Sequence, residues 1–517
     1  MTLMKSASEK TKNLKINIIF NAIYQVLVLI IPFITSPYVS RVLLPTGVGN
    51  YSYAYSWISY FVPIADYGFL EFGTVRIAKY RRDKEKYSNF FWQFFICKVL
   101  FGLLVTGIYL ALVVSGVFLS PEYSRNTKVV FLIRSLDILG SVFDITFLFQ
   151  GLEKFVSLCV RNLFIKILNL LLIFCFVRTS TDYLNYVIVI SVCLFLSGAS
   201  TLLTIPYSVN KPKITKFNPF IYFKDAFVYF IPYFVNSAFY VIPKTAIGLM
   251  AKNPAVSGFY ESADKLVNIV LTMIGSLSTI RMSRMIYLYE TKNTAEIERK
   301  VTQVFQLYSL FALPCFFGLV AINKYFTIGF FGSDYSEAIR MIYIRAPKIL
   351  FNPLTKILGS IYYVPTGRAW TRSFLLVAGL VFGVVACFLG TYFLGAIGTC
   401  IASRLSEALV ALLFVAFSKK NIHLKNYAND FRKSFDASLI MALVLILCGK
   451  VLFSLFHQPS SSKKLIVISL VLIMIGVVVY AVLIFFFKEE LFMNRYHQYK
   501  EKFKKLLKKN KEHKNVH

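Results

Sequence analysis

Three cations lie close together in an apolar stretch of the second half of the chain. Arg345, Lys348 and Lys356, together with Asn352, recur at intervals of three or four residues within 341–363. On one continuous α-helix this spacing places all four side chains on the same face. No acidic residue lies among them, so the pattern predicts a surface that faces an anionic ligand, with a phosphate-bearing molecule as the best candidate.

A stripe of mixed charge stands in the apolar stretch 129–149. Arg134, Asp137, Ser141 and Asp144 are separated by three, four and three residues, which also favours one helix face. Two interpretations remain open for Arg134 with Asp137, and equally for Arg404 with Glu407. Each pair is either an ion pair within the protein or part of a pathway for a substrate or an ion.

Further polar side chains interrupt the apolar stretches. Leaving a charge in hydrocarbon costs at least about 2.5–3.5 kcal/mol, so these groups are expected to face protein or water. Lys98, near the end of an apolar run, is interpreted as snorkelling to the interface. The remaining substrate-binding candidates are Lys244, Arg404, Arg41, Asn21 and Asp66, and the candidates for coupling to protons or sodium are Asp137, Asp144, Asp264 and Glu407.

Motifs of the common hydrolytic enzymes are missing from the sequence. There is no GxxxxGK[ST] for ATP hydrolysis, no HExxH for zinc and no GxSxG nucleophile motif. The five histidines fall outside the apolar stretches, and none of the eight cysteines forms a CxxC pair. The sequence therefore predicts a protein that is not an enzyme and has neither a cofactor nor a metal site.

The elements that carry these residues follow from composition. Of 517 residues 57% are hydrophobic and only 16% are charged, yet the net charge is +32. Basic residues must therefore occupy short connections between long apolar runs, which excludes a soluble enzyme, a disordered chain and a secreted disulfide scaffold. Because the positive charge is dispersed rather than gathered on one module, nucleic acid is not expected as a partner.

Apolar runs of membrane-spanning length predict an all-α polytopic membrane protein with fourteen helices. Alternate connections hold 38 and 9 basic residues, which places both termini in the cytoplasm. The predicted spans are 15–40, 50–70, 90–118, 129–149, 159–178, 183–206, 226–250, 258–281, 303–323, 341–363, 373–394, 398–418, 437–456 and 465–487.

A weak internal repeat divides the chain. Pro45-x-x-x-Gly49-x-Tyr51-x-x-Ala54 recurs 209 residues later as Pro254-x-x-x-Gly258-x-Tyr260-x-x-Ala263. A shift over six spans predicts two parallel six-helix lobes with a substrate cavity between them. The predicted domains are an N-terminal lobe at 1–210, a C-terminal lobe at 211–420, two further spans in 421–487, and a basic amphipathic tail at 488–517 lying on anionic lipid.

The first hundred residues resemble the Wzx-type O-antigen and capsular repeat-unit flippases of the multidrug/oligosaccharidyl-lipid/polysaccharide exporter superfamily. The likeness is carried by the Asn-rich first span, Pro37-Tyr38-x-x-Arg41, Gly49-x-Tyr51, Tyr60-Phe61, and Gly68 to Gly73 leading into Arg76, and later by Phe149-Gln150-Gly151-x-Glu153. One departure is Leu44, where the family pattern Arg-x-Leu-Gly has a glycine.

The resemblance implies alternating access in the bacterial cytoplasmic membrane. The implied substrate is undecaprenyl diphosphate carrying a short oligosaccharide, with polysaccharide polymerase machinery as a further partner besides the bilayer. The intramembrane cations suit a diphosphate. Polar stripes in the predicted spans suit sugar hydroxyls, among them Ser52, Ser56 and Ser59 in the second span, Asn17 and Asn21 in the first, and Asn236 and Tyr240 in the seventh. Two alternatives stay open, namely a flippase for a peptidoglycan precursor or teichoic-acid unit, and a membrane-embedded glycan polymerase or ligase.

Overall fold

The computed structural model describes residues 2–118, 127–211, 218–276, 282–291, 293–418, 428–456 and 461–488. Within these ranges every regular element is helical, as the composition predicts. The predicted amphipathic tail lies almost entirely outside them. The α-helices are α1 Thr2–Asp66, α2 Phe69–Tyr80, α3 Lys84–Val114, α4 Thr127–Phe143, α5 Thr146–Gly151, α6 Phe155–Phe176, α7 Tyr183–Ala199, α8 Ile205–Ser208, α9 Phe223–Met250, α10 Pro254–Ser276, α11 Met282–Glu290, α12 Thr294–Phe331, α13 Ala338–Arg345, α14 Lys348–Leu358, α15 Ala369–Ser418, α16 Ala428–Leu455 and α17 Ser462–Phe486.

Eight of the described helices are long and apolar enough to cross a membrane. They lie in or around α3, α6, α7, α9, α12, α15, α16 and α17. The apolar character extends to the surface, because side chains such as Phe164, Phe393 and Met474 are two-thirds exposed or more and suit contact with lipid. The protein is thus a multi-pass membrane protein, while the count of fourteen spans and the cytoplasmic position of the termini stay predictions.

Two long helices each contain a sharp kink where two predicted spans meet. In α1 the backbone of Leu44 has φ 59° and ψ 172°, and in α15 Gly395 has φ 60° and ψ −147°. Leu44 therefore occupies a conformation that is nearly restricted to glycine, at the position where the family pattern has one. The part of α1 after the kink, residues 45–66, is called α1b below.

Predicted spans four and ten are interrupted rather than continuous. Span four divides into α4 and α5 at Asp144 and Ile145, and span ten divides into α13 and α14 at Ala346 and Pro347. After α14 the chain continues as a π-helical turn, Gly359–Tyr363. Interrupted helices at membrane depth are tolerated where they are buried in protein or line a cavity.

The chain forms two compact units. Unit 1 comprises Met1–Lys265 with Leu376–Ser406, and unit 2 comprises Leu266–Leu375 with Glu407–His517. In unit 1, α1 packs against α4 and α9, and α4 packs against α7. In unit 2, α12, α16 and α17 pack on one another around Leu310, Ala437 and Ile484. The lobe boundaries at 210 and 420 stay a prediction.

Candidate functional site

The two copies of the repeated motif meet in unit 1. A Cβ atom at Gly49 would lie 1.8 Å from the carbonyl oxygen of Pro254, and one at Gly258 would lie 1.9 Å from the carbonyl oxygen of Pro45. Each glycine thus faces the proline of the other copy, and the absence of side chains lets the two backbones touch. The contact is the same from either copy. Because it joins the two backbones directly, it fixes α1b against the start of α10.

Two tyrosines one turn apart on α1b lie directly below this contact. The rings of Tyr51 and Tyr55 are stacked, with centroids 5.9 Å apart and planes at 12°. Tyr186 from α7 packs against Tyr51 at 5.0 Å. The stacked pair presents its π-electron faces to the surrounding helices, which favours cations.

Three cations from three helices lie over these rings. The guanidinium carbon of Arg134 on α4 is 4.8 Å from the Tyr51 centroid and 5.2 Å from that of Tyr55. Lys244 Nζ on α9 is 5.3 Å from Tyr55, and Lys265 Nζ on α10 is 5.6 Å from Tyr51. Such contacts are worth about 2 kcal/mol when desolvated, which offsets part of the cost of burying the charges.

Carboxylates pair with each of these cations. Asp137 lies 3.0 Å from Arg134 one turn away on α4. Glu261 and Asp264 on α10 lie 2.8 Å and 3.3 Å from Lys244 Nζ, and all of these groups except Lys265 are nearly or fully buried. We call this set the tyrosine–cation cluster, comprising Tyr51, Tyr55, Arg134, Asp137, Lys244, Glu261, Asp264 and Lys265.

Arg134 is the least compensated member of the cluster. Its side chain is 0% exposed, and none of its guanidinium nitrogens makes a hydrogen bond of good geometry, although Nη1 lies in ion-pair range of Asp137. A guanidinium has five N–H donors arranged to bind planar or tetrahedral oxyanions. The cluster therefore retains donor capacity for an anionic group.

A second buried ion pair supports the interruption of span four. Lys98 on α3 is 1% exposed, and its ammonium donates to Asp66 Oδ1 at 3.3 Å and to the backbone oxygen of Asp144 at 2.8 Å. Asp144 Oδ1 in turn accepts from the backbone N–H of Thr146, which begins α5. The snorkelling interpretation of Lys98 was wrong, because its ammonium group pairs with Asp66 inside the protein.

The three cations of predicted span ten do not share one helix face. Arg345 ends α13 and Lys348 begins α14, so the turn at Ala346 and Pro347 interrupts the phasing that the spacing assumed. Arg345 and Lys348 are buried in unit 2, where Lys348 Nζ donates to Asn268 Oδ1 at 3.0 Å, whereas Lys356 is exposed. The prediction of one continuous helix face was therefore wrong, because the break separates Arg345 from Lys348 and Lys356.

The remaining predicted residues are scattered. Arg404 is buried, Glu407 is half-buried and Arg41 is exposed, while the side chain of Asn21 lies outside the described part. The structure brings together four predicted residues in the tyrosine–cation cluster, namely Arg134, Asp137, Lys244 and Asp264.

Sequence reasoning did not select Glu261 or the two stacked tyrosines as site residues, whereas it did name Lys265 beside Asp264 among the polar side chains of the eighth predicted span. One signal for Glu261 was present, because the repeat shift of 209 residues makes it the counterpart of Ser52 in the polar stripe of the first copy. The two side chains are hydrogen-bonded in the structure, with Ser52 Oγ donating to Glu261 Oε2 at 3.0 Å.

Comparison with known proteins bears on the identity of the chain. Residues 14–282 match the model of the family described as "Polysaccharide biosynthesis protein". The chain belongs to this family. The matched range covers the repeat contact and every member of the tyrosine–cation cluster.

Two curated relatives carry the name "Putative O-antigen transporter". The protein from Escherichia coli (strain K12) is 23% identical over 414 residues, which cover 79% of this chain and 97% of the relative. The protein from Shigella dysenteriae is 24% identical over 397 residues, covering 74% and 94%. These relatives agree with the resemblance seen in the N-terminal motifs, which the family match confirms.

Solved structures show the same fold. Lipid II flippase MurJ, in an inward closed conformation, matches with a TM-score of 0.63 at 16% identity, over 88% of this chain and 98% of that one. An inward-facing multidrug resistance MATE family transporter of the MOP superfamily matches with a TM-score of 0.55 at 12% identity, over 77% and 97%.

Proposed function

We propose that this protein flips undecaprenyl-diphosphate-linked oligosaccharide repeat units from the cytoplasmic to the outer leaflet during synthesis of a capsule, O-antigen or exopolysaccharide. Family membership, the names of the two curated relatives and the fold shared with transporters support this proposal. The protein would act by alternating access in the bacterial cytoplasmic membrane, with fourteen spans and both termini in the cytoplasm. It would be a transporter and not an enzyme.

The observation that carries the proposal is the gathering of Arg134, Lys244 and Lys265 over a stacked tyrosine pair. A lipid diphosphate has two anionic groups that need cations in a low-dielectric setting, and charge-assisted hydrogen bonds from Arg and Lys supply them. The faces of the two tyrosines already contact each other and the cations, and their hydroxyls are hydrogen-bonding groups that suit sugar hydroxyls. Both chemical parts of the proposed headgroup thus find a partner in one cluster.

The test uses a deletion strain and lipid extraction. Loss of the protein should cause a lipid-linked oligosaccharide to accumulate, and the wild-type gene should remove it and restore polymer export. Accumulation of the peptidoglycan precursor instead would favour the alternative flippase activity, and accumulation of neither would contradict the proposal.

Site variants then connect the activity to the cluster. Lys244→Met should abolish export while the protein still reaches the membrane, because the cluster loses a cation that lies 5.3 Å from Tyr55 and 2.8 Å from Glu261. Lys324→Met is the matched control, since Lys324 also lies over an aromatic ring, 5.7 Å from Phe453, but outside the cluster. Normal export by a stable Lys244→Met protein would refute the role of the cluster.

A further inference from the structure

The tyrosine–cation cluster is electrically balanced in this state. Three cations, Arg134, Lys244 and Lys265, are matched by three carboxylates, and each carboxylate lies within 4 Å of a cation. Arg134 keeps unused donors, but both lysines already pair with carboxylates, so an anionic headgroup cannot bind the two lysines without competing with those carboxylates. To bind them, it has to take the place of at least one carboxylate.

Glu261 has the contacts that a bound oxyanion would have. Its Oε2 atom accepts a hydrogen bond from Ser52 Oγ at 3.0 Å and lies 2.8 Å from Lys244 Nζ, while Oε1 lies 3.7 Å from Lys265 Nζ. The side chain is only 5% exposed. One carboxylate thus binds two ammonium groups and a hydroxyl, and it joins α1, α9 and α10.

The other two carboxylates are bound differently. Asp137 pairs with Arg134 on its own helix, so this ion pair does not join two helices. Asp264 lies 3.3 Å from Lys244, farther than Glu261. Glu261 is therefore the carboxylate whose replacement by a ligand would give up contacts with two cations and also break the hydrogen bond from α10 to α1 through Ser52.

We propose that Glu261 is an internal competitor of the substrate, an anion that occupies Lys244 and Lys265 in the empty transporter and is displaced by the diphosphate of the lipid. This inference rests on the proposed function. Displacement couples headgroup binding to loss of the Ser52 hydrogen bond that links α10 to α1b, because the same carboxylate does both tasks. When Glu261 binds the two lysines again, it expels the headgroup, which favours unloading.

The direct test is the affinity of the purified full-length protein in lipid nanodiscs for undecaprenyl diphosphate, with undecaprenol as the probe that lacks phosphate. Glu261→Gln keeps an oxygen for Ser52 but removes the competing charge. Its Kd for undecaprenyl diphosphate should fall by at least about tenfold, because the diphosphate no longer has to displace a competing charge from the two lysines. Binding of undecaprenol should not change, and export in cells should decrease because unloading becomes slower.

Two further variants keep the test decisive. Ser52→Ala retains every charge but removes the hydrogen bond to Glu261, so it should tighten diphosphate binding by a smaller factor of about two to three. This variant replaces Glu261→Gln in the test if Glu261→Gln does not fold. Asp430→Asn is the matched control in unit 2, where Asp430 is a buried carboxylate 2.6 Å from Gln306 Nε2 and 3.7 Å from Lys433 Nζ. It should leave the affinity unchanged.

The outcomes separate this inference from the function beneath it. Equal or weaker diphosphate binding by the Glu261→Gln and Ser52→Ala proteins, with wild-type binding intact, would overturn the competitor role and leave the proposed function standing. A wild-type protein that binds neither lipid would refute both. Tighter binding by Asp430→Asn as well would show a general effect of removing charge and would also overturn the inference.

Discussion

Replacing Gly49 by alanine tests how closely the two copies of the repeat must approach. The new Cβ would lie 1.8 Å from the Pro254 carbonyl oxygen and 3.2 Å from the Gly258 nitrogen. Even close C···O contacts in proteins are about 3.3–3.6 Å, so α1b and α10 would have to separate by roughly 1.5 Å. Overpacking of this kind costs about 1–3 kcal/mol. Because a backbone carbonyl cannot rotate away like a side chain, we expect the upper part of this range.

The reciprocal geometry makes a sharper prediction for the double variant. Gly258→Ala places its Cβ 1.9 Å from the Pro45 carbonyl oxygen, so the same separation relieves both clashes. The loss of stability in the double variant should therefore be clearly smaller than the sum of the two single losses.

The assay is the thermal midpoint of the detergent-purified protein, together with polymer export in cells. Gly275→Ala is the control on α10, the helix that also carries Gly258, because nothing lies within 4 Å of the position that a Cβ atom at Gly275 would occupy. That variant should be as stable as wild type or more stable, since alanine is favoured over glycine in a helix by about 1 kcal/mol. An unchanged midpoint for Gly49→Ala, or additive losses in the double variant, would refute the close contact.

Three further predictions concern the kink and the buried charges. Leu44→Gly should raise the thermal midpoint, since about 1–3 kcal/mol of backbone strain is relieved against about 0.5–1 kcal/mol of glycine entropy, and a lower midpoint would contradict the kink geometry. Lys98→Met should destabilise the protein by about 3–5 kcal/mol, and adding Asp66→Asn should recover part of that loss, so a more severe double variant would contradict the pairing. The double variant Arg345→Glu, Lys348→Glu should reach the membrane but fail to export polymer, whereas Lys348→Arg should retain part of the activity, and normal export by the first would exclude both residues from substrate handling.

Local spacing predicted part of the site correctly. Arg134 and Asp137 are three residues apart, and an uninterrupted α4 places them on one face where they form an ion pair. The same rule failed for Arg345 with Lys348 and Lys356, because the chain breaks between them at Ala346 and Pro347, and periodicity is informative only while the helix continues. The kink at Leu44 was likewise hidden, since leucine gives no local sign of a left-handed backbone, and only the family pattern marked the position.

Long-range partners could not be predicted from single segments. The contacts of Lys98 with Asp66 and with the Asp144 carbonyl join α3 to the end of α1 and to the break between α4 and α5, and no periodicity within α3 indicates them. Near the end of an apolar run, snorkelling and a buried ion pair give the same sequence pattern. The two cases differ in whether a neighbouring helix supplies a carboxylate, and that depends on how the helices pack.

The two copies of the repeat make equivalent backbone contacts but carry different charges. Pro45, Gly49, Pro254 and Gly258 are matched pairwise, and their backbone contact is the same from either side. Three residues beyond each glycine the two copies differ, because position 52 is serine and its counterpart, 209 residues later, is Glu261. A second carboxylate at position 52 would place two like charges face to face, which is unfavourable, whereas a hydroxyl donor completes the coordination of one carboxylate. Beside the contact between the copies there is thus a single carboxylate, Glu261, at this pair of equivalent positions. Lys244 and Lys265 both pair with it. The symmetric backbone contact between the two copies therefore lies next to a charge that only one copy carries. A headgroup can compete with Glu261 at that position while the contact of Gly49 and Gly258 with the two prolines stays in place.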